Sequence, residues 1–317
     1  MKIGRLFYFN DSCCHIFHYF CEMATTGLEL KRIFDLRVDK AYTGYLDTAK
    51  LNRTFQQGMV SAVEKQYKVL SSQGEYDTLR GVIKVNRVFT PVANVIYTDE
   101  SNTLAPNIVD YYHLLTVKAQ YNEPLYGVSF SAATGTPIRV KLSGVNNIRT
   151  GDTLIISGAT GNTNVNGKRY IKMVNKTTGD LYADANFQTP IASNGTYVTN
   201  TAVIARYWYE YCQRYFSDRK IAKYSTPTAD NPKFEQDINN STRMIFQPLN
   251  LVCNEITMDY ITQLPVSIDV ADNVIDLERY YDKNLLYLCV AETSLLFAQQ
   301  LRDESLYATS GNQIQTA

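Results

Sequence analysis

The sequence predicts an α+β fold in which a small antiparallel β module is inserted into a helical body. The chain has 317 residues and a hydrophobic fraction of 45%, enough to fill a substantial core. Nine of its sixteen glycines lie between Gly127 and Gly195, whereas none lies between Tyr197 and Ser310. Helical periodicity occurs on both sides of the glycine-rich segment, so we expect that segment to interrupt a helical domain.

The first part of the helical body, residues 23–123, begins with two predicted helices. Residues 28–38 form the shorter helix, and the longer one runs from Asp47 to Leu70. In the longer helix a large apolar or aromatic side chain recurs at every fourth position: Leu51, Phe55, Met59, Val63 and Tyr67. Asp47 or Thr48 is predicted to cap its start. The valines after Gly81 favour one or two strands, and residues 108–121 fit a strand or a helix equally well.

The inserted β module is predicted over residues 124–201. Short β-branched or aromatic runs follow one another there, separated by Gly, Asn and Thr residues that suit turns. The runs are IRVKLSG, DTLIISG, KRYIKMV, DLYAD and TYVTNTAVIARY. This pattern is typical of a small antiparallel sheet.

The second part of the helical body, residues 202–317, ends in a long predicted helix over residues 276–307. Asn273 and Asp276 form a plausible capping pair at its start, where nearby acidic residues are expected to stabilise the helix dipole and not to bind calcium. Before it, residues 217–250 are polar, contain three prolines and show neither period. We expect an extended arm there.

Residues 1–22 form a doubtful leader, and the mature protein is expected to begin at Met23. The leader crowds five potential zinc ligands together: Cys13, Cys14, His15, His18 and Cys21. Their spacing fits no standard zinc finger, and no second ligand pair follows at a distance. The leader lacks a signal-peptide pattern, and no apolar segment is long enough for a membrane span. We therefore predict no metal, no cofactor and no membrane association.

The formal net charge is zero, with 31 basic and 31 acidic residues. This balance argues against tight binding to nucleic acid or to an anionic membrane through a global field. One local cluster mixes basic with aromatic side chains, and its basic members are the DNA-facing candidates: Arg219, Lys220, Lys223 and Lys233. The carboxylates of a neighbouring subunit, or solvent, are the alternative partners of these side chains.

Residues suited to catalysis form no recognisable motif. Beyond the leader the only histidine is His113, which follows Asp110, Tyr111 and Tyr112 in a context that favours core packing. Residues 127–131 begin like a nucleophile elbow but lack its second glycine, and residues 161–169 have the wrong spacing for a phosphate loop. The sequence predicts no catalytic residue, and we expect that the protein is not an enzyme.

Tyrosine is the anomaly of the composition, with 24 of 317 residues. Tyrosine supplies rigid, amphipathic contact area and is enriched at protein interfaces. The aromatic clusters therefore supply the candidates for a subunit interface: Tyr207, Trp208, Tyr209, Tyr211, Tyr280 and Tyr281. A tyrosine-rich edge of the core is the alternative interpretation.

Several segments resemble structural proteins of tailed phages. The segment GDTLIISGATGNTNVNGKRYIKMV, with DLYAD and NGTY after it, resembles a small β module common in their virion proteins. Three further segments resemble head-to-tail connector (ring or adaptor) proteins of short-tailed phages, especially the crAss-like group. These are RKIAKYSTPTADNPKF, MDYITQLPVSIDV and DLERYYDKNLLYLCVAETSLLFAQQLRDE. The resemblance covers most of residues 23–317.

This resemblance implies a helical connector body whose subunits form a homo-oligomeric ring of twelve copies beneath the portal. It implies contacts with the portal protein, with adjoining tail or ring proteins and, non-specifically, with the genomic double-stranded DNA in the lumen. The protein is expected in the virion, at the head-to-tail interface or in the tail, after synthesis in the host cytoplasm. The alternative function is a tail-associated protein whose β module binds a host receptor or glycan.

Overall fold

The computed structural model describes residues 25–38, 47–70, 73–98, 106–144, 146–214, 226–236 and 242–314. The chain divides into two compact units, which we describe separately. The helical unit comprises the chain up to Ile83 and from Thr262 onward, and the β unit comprises Lys84–Ile261.

The helical unit contains four α-helices among its described residues. They are α1 (Gly27–Val38), α2 (Thr48–Val69), α3 (Gln73–Thr78) and α4 (Lys283–Ile314). The carboxylate of Asp47 accepts a hydrogen bond from the Lys50 N–H at 2.7 Å and so caps α2. Phe34 of α1 packs edge-on against Phe55 and Phe297, with ring centroids 5.5 Å and 5.7 Å away. These rings join α1, α2 and α4 in one apolar core.

Helices α2 and α4 approach each other closely at Gly58. A Cβ atom at this position would lie 2.1 Å from the Thr293 Oγ1 and 3.0 Å from the Cys289 carbonyl oxygen, so only glycine fits without movement of α4. One turn further along α2, Ser61 donates a hydrogen bond to Glu292 at 2.9 Å, and Lys65 forms an ion pair with the same carboxylate at 2.6 Å. A glycine contact and a polar cluster therefore fix the register of the two helices.

The strands form two sheets. The thirteen strands of the described residues are β1 (Ile83–Phe89), β2 (Val95–Tyr97), β3 (Tyr111–Pro124), β4 (Ser129–Thr134), β5 (Ile138–Ser143), β6 (Thr153–Ser157), β7 (Gly167–Asn175), β8 (Thr178–Tyr182), β9 (Val203–Tyr211), β10 (Gln213–Arg214), β11 (Lys233–Gln236), β12 (Arg243–Gln247) and β13 (Cys253–Thr262). A nine-stranded antiparallel sheet has the order β1-β13-β3-β9-β6-β7-β8-β5-β4. A four-stranded sheet has the order β10-β11-β12-β2.

The β unit has two cores. One lies between the two sheets, where side chains of β3 and β13, such as Tyr121 and Tyr260, pack with side chains of β11 and β12, such as Phe234 and Phe246. The other is surrounded by strands β4 to β9. The Asn200 N–H donates to the Phe130 carbonyl at 3.0 Å, so this part of the sheet curls until β4 meets the segment that leads into β9.

The carboxylate of Asp110 links β1 to β13. Lys84 of β1 forms an ion pair with it, and the Tyr260 hydroxyl of β13 donates a hydrogen bond to it at 3.0 Å. Burial acts to raise the pKa of Asp110, but the hydrogen bonds from Lys84 and Tyr260 outweigh burial and leave the pKa below its usual value.

We expect these Asp110 interactions to stabilise the fold above the unfolded-state pKa, near 3.8, and to be lost as the pH falls through the lower folded-state pKa. Asp110→Asn should therefore destabilise the protein at pH 7 by about 0.5–1 kcal/mol, and the difference from wild type should shrink at acid pH. Denaturant unfolding of both proteins between pH 7 and pH 3 measures this. Glu210→Gln, at an exposed position of β9, is the control. A difference that is the same at both pH values would contradict the expectation.

The predicted fold class is wrong: the described chain is mostly β-sheet and not a helical body with a small β module. Residues that were assigned to the helical connector body form strands β1 to β3 and β9 to β13. The cause is that several of these strands carry apolar or aromatic side chains on both faces. In β9, Ile204 and Trp208 alternate with Tyr207 and Tyr209, so the two-residue period that marks a strand is hidden.

Several individual helices and strands agree with the predictions. The helix predicted from Asp47 to Leu70 is confirmed, including its Asp47 cap. The final long helix is confirmed in type, but it begins at Lys283 because Leu277–Arg279 form a 3₁₀ turn capped by Asp276. The strands after Gly81 are confirmed as β1 and β2.

For two segments the structure decides between alternatives or differs from the prediction. The segment 108–121, which fitted a strand or a helix, contributes most of β3. The extended arm predicted over residues 217–250 is wrong where it is described, because β11 and β12 lie within it and pair with each other. Residues 215–225 and 237–241 of that segment lie outside the described residues.

Candidate functional site

The tyrosines of β9 share one face of the nine-stranded sheet. Side chains alternate between the two faces of a strand, so Tyr207, Tyr209 and Tyr211 point to the same side, and Arg206 and Trp208 point to the other. Tyr207 and Tyr209 are half-buried, and Tyr211 keeps 61% of its surface exposed. The alternation in β9 thus places a row of three tyrosines on the face of the sheet that points away from the core.

Neighbouring strands extend this row with lysines and further tyrosines. On one side of β9, Lys118 of β3 pairs with Tyr211. On the other side β6 pairs with β9, Thr153 of β6 pairs with Tyr170 of β7, and Tyr170 pairs with Tyr182 of β8. We call this surface the tyrosine–lysine face. Its members are Lys118, Lys168, Tyr170, Lys172, Tyr182, Tyr207, Tyr209 and Tyr211.

Lysine ammonium groups lie over the tyrosine rings of this face. The Lys168 Nζ is 3.9 Å from the centroid of the Tyr207 ring, and the Lys118 Nζ is 4.3 Å from that of Tyr211. A hydrogen bond to the Tyr211 side chain raises the pKa of Lys118, so this lysine is charged at neutral pH. Cation–π contacts of this kind hold the long lysine side chains in place against the sheet.

Polar contacts fix the borders of the face. At the β5 side, the Arg139 guanidinium binds the Asp180 carboxylate through two hydrogen bonds of 2.8 Å and 2.9 Å, and this contact raises the pKa of Arg139. At the β13 side, the Tyr209 hydroxyl donates to the Thr257 Oγ1 at 2.6 Å. The surface is therefore an aromatic area with three lysines whose side chains are held in place, which suits binding.

Trp208 and Arg206 occupy the opposite face of β9. The Trp208 indole N–H donates to the Glu123 carboxylate at 3.0 Å. Arg206 is buried and bonds to the Asn147 side chain at 2.7 Å, with the Asp152 carboxylate 3.3 Å away. Of the four interface candidates in β9, the structure brings the three tyrosines together and separates Trp208 from them.

The other interface candidates lie in the helical unit. Tyr280 is 40% exposed, whereas Tyr281 is 2% exposed and its ring lies in the core. Burial raises the pKa of Tyr281 to about 12, and its hydroxyl bonds to the backbone of Val266. Tyr281 thus has a packing role within the chain, in line with the alternative interpretation of the tyrosine clusters.

The DNA-facing candidates are not assembled into a described site. Arg219, Lys220 and Lys223 lie outside the described residues. Lys233 is 5% exposed at the start of β11, where it is not accessible on the surface of the chain. The DNA-facing role of the other three side chains stays a prediction.

In the part of the chain that the structure describes, no group of three or more His, Cys, Asp or Glu side chains is placed to hold a metal ion. The leader with its Cys and His cluster lies outside that part. The His113 ring lies 4.3 Å from that of Tyr112. No described helix is long and apolar enough to cross a membrane.

The sequence marks three of the five tyrosines of this face, but it marks neither Tyr170 and Tyr182 nor the lysines. Lys118, Lys168 and Lys172 are separated in sequence, and the strand register brings them to one surface. Their alternation with buried residues in β7 was the available signal, since Ile171 lies between Tyr170 and Lys172. Comparison with known proteins adds nothing to this site, because no family model and no curated protein matches the chain.

Proposed function

We propose that this chain is a structural virion protein, a subunit of an oligomeric ring in the head-to-tail connector beneath the portal. The resemblance of its segments to connector proteins of short-tailed phages motivates the place in the particle. Its partners are further copies of the chain, the portal protein and adjoining ring or tail proteins, with the genomic DNA passing through the ring. In this role the protein binds and does not catalyse.

The observation that carries the proposal is the tyrosine–lysine face. Three side chains that the sequence marks for a subunit interface, Tyr207, Tyr209 and Tyr211, lie side by side on a surface that neither core of the β unit uses. Tyrosines lose little side-chain entropy on binding and combine an apolar ring with a polar hydroxyl, which suits a protein interface. Lysines held against the rings add a charge pattern that selects the partner.

The proposal is tested on the purified full-length protein and on the particle. We expect light scattering to give a mass of many subunits, negative-stain electron microscopy to show rings, and mass spectrometry of purified virions to detect the chain. A protein that stays monomeric at high concentration and is absent from virions would rule the proposal out.

A further inference from the structure

The helical unit carries an exposed apolar tip on a rigid turn. This turn, residues 269–276, precedes α4, and we call it the acidic turn. Val274 is 83% exposed and Ile275 is 41% exposed. The Asp272 carboxylate accepts hydrogen bonds from the Val274 N–H at 2.7 Å and from the Ile275 N–H at 3.3 Å. The Asp272 carbonyl accepts from the Leu28 N–H at 2.9 Å, so the turn is anchored to α1.

Three carboxylates lie in the same turn as this tip. Besides Asp272, the turn contains Asp269 and Asp276, and Asp276 is paired with Arg279 at 3.7 Å. Hydrogen bonds from the Ala271 N–H and from the Asn52 side chain lower the pKa of Asp269, so it is negatively charged at neutral pH. The acidic turn therefore combines a preorganised apolar anchor with nearby negative charge. An exposed anchor of this type binds a partner with little loss of conformational entropy.

The tyrosine–lysine face has the complementary character. Its lysines offer positive charge to the carboxylates of the turn, and the exposed part of Tyr211, 61% of its surface, offers contact area to Val274 and Ile275. Lys168 and Lys172 are exposed at the surface. Complementary charge at a rim selects the partner, and apolar contact at the centre supplies affinity.

We propose that the acidic turn of one copy of this chain binds the tyrosine–lysine face of the next copy. This inference rests on the proposed assembly into a ring, and it names the two surfaces that meet. The contact joins two different surfaces, and a heterologous contact of this kind is what a cyclic ring requires.

A second copy fits the face better than a nucleic acid does. Aromatic side chains bind single-stranded nucleic acid by stacking on the bases, but here lysine ammonium groups already lie over the Tyr207 and Tyr211 rings. A phosphate backbone carries a negative charge at every nucleotide and suits a more basic surface than this one, where the Asp259 carboxylate lies near Lys118. The acidic turn brings fewer negative charges together with an apolar centre.

Photo-crosslinking of the full-length protein tests the contact directly. Val274 is replaced by p-benzoylphenylalanine, and this photoreactive protein is mixed before irradiation with a ¹⁵N-enriched copy that lacks the photoreactive residue. We expect crosslinks between copies that map by mass spectrometry to peptides of β6, β7 and β9. Oligomers whose crosslinks map elsewhere would overturn this inference and leave the proposed ring intact. A protein that forms no oligomer would overturn both.

Point variants give a second readout. Val274→Asp and Lys168→Glu are expected to raise the concentration needed for assembly at least about tenfold, because each puts a repelling charge into the contact. Val252→Asp is the matched control, since Val252 is also a highly exposed valine, at 72%. Circular dichroism and thermal unfolding establish that each variant is folded. Unchanged assembly of both folded variants, or weaker DNA binding by Lys168→Glu with normal assembly, would refute the contact.

Discussion

Replacing Gly58 with leucine is expected to destabilise the helical unit by at least about 3 kcal/mol. The Cβ position alone lies 2.1 Å from the Thr293 Oγ1 and 3.0 Å from the Cys289 carbonyl oxygen, so the side chain has no room unless α2 and α4 separate. Separation would expose Phe55 and Cys289, which are fully buried. Denaturant unfolding followed by helical circular dichroism measures the change.

The alanine variant isolates the cause of this effect. In an open helix, Gly→Ala stabilises by about 1 kcal/mol because alanine has the better helix propensity. Gly58→Ala should instead destabilise, and the added change Thr293→Ala should recover part of the loss by removing the nearest atom. Gln57→Leu, at the exposed neighbouring position of α2, serves as control. A stabilised Gly58→Ala variant would show that the helices are not packed at this glycine.

The second large effect is expected at Asn94, where Asn94→Gly should lower the stability of the β unit by about 3–5 kcal/mol. The buried Asn94 side chain donates to the carbonyls of Pro248 at 3.2 Å and Leu251 at 2.7 Å. It also accepts from the Cys253 N–H at 2.8 Å. Without it, three backbone groups near the start of β13 lose their partner, and water has little access to replace it.

A glycine variant at Ala93 separates the loss of the Asn94 hydrogen bonds from a change in backbone strain. Ala93 and Asn94 both have positive φ, at 50° and 60°. Glycine adopts such angles freely, so the same substitution relieves strain at both positions. Ala93→Gly is therefore expected to be neutral or slightly stabilising, and Asn94→Gly strongly destabilising. Equal effects in chemical unfolding at the two positions would mean that the side-chain hydrogen bonds of Asn94 contribute little.

The sequence predicts α2 because this helix buries one face only. In α2 the apolar stripe from Leu51 to Val63 is buried and Gln57 is exposed, so the amino-acid sequence shows the 3.6-residue period of a helix. Strands within residues 124–201 are predicted for a similar reason, since Ile138, Val140 and Leu142 of β5 alternate with exposed Arg139 and Lys141.

The rest of the fold depends on contacts that no local pattern encodes. Strands β3 and β13 are far apart in sequence and become neighbours in the nine-stranded sheet, where Tyr121 and Tyr260 share a core. The tyrosine–lysine face has the same origin, because Lys118 and Lys168 reach it through strand register. Strand pairing over such distances is a property of the whole chain, and a reading of successive segments misses it.

The pairing of β3 with β9 also bears on how such a chain can change over generations. Pro124 at the end of β3 lies opposite Ala205 of β9, and the Leu125 N–H bonds to the Ile204 carbonyl at 3.0 Å. The segment between these residues begins and ends at adjacent points, adds strands β4 to β8 to the sheet beyond β9 and surrounds a second core. Its removal, duplication or exchange for another segment leaves both attachment points in place, since a tight hairpin spans the same gap. Such a junction lets strands β4 to β8 diverge while β3 and β9 stay paired.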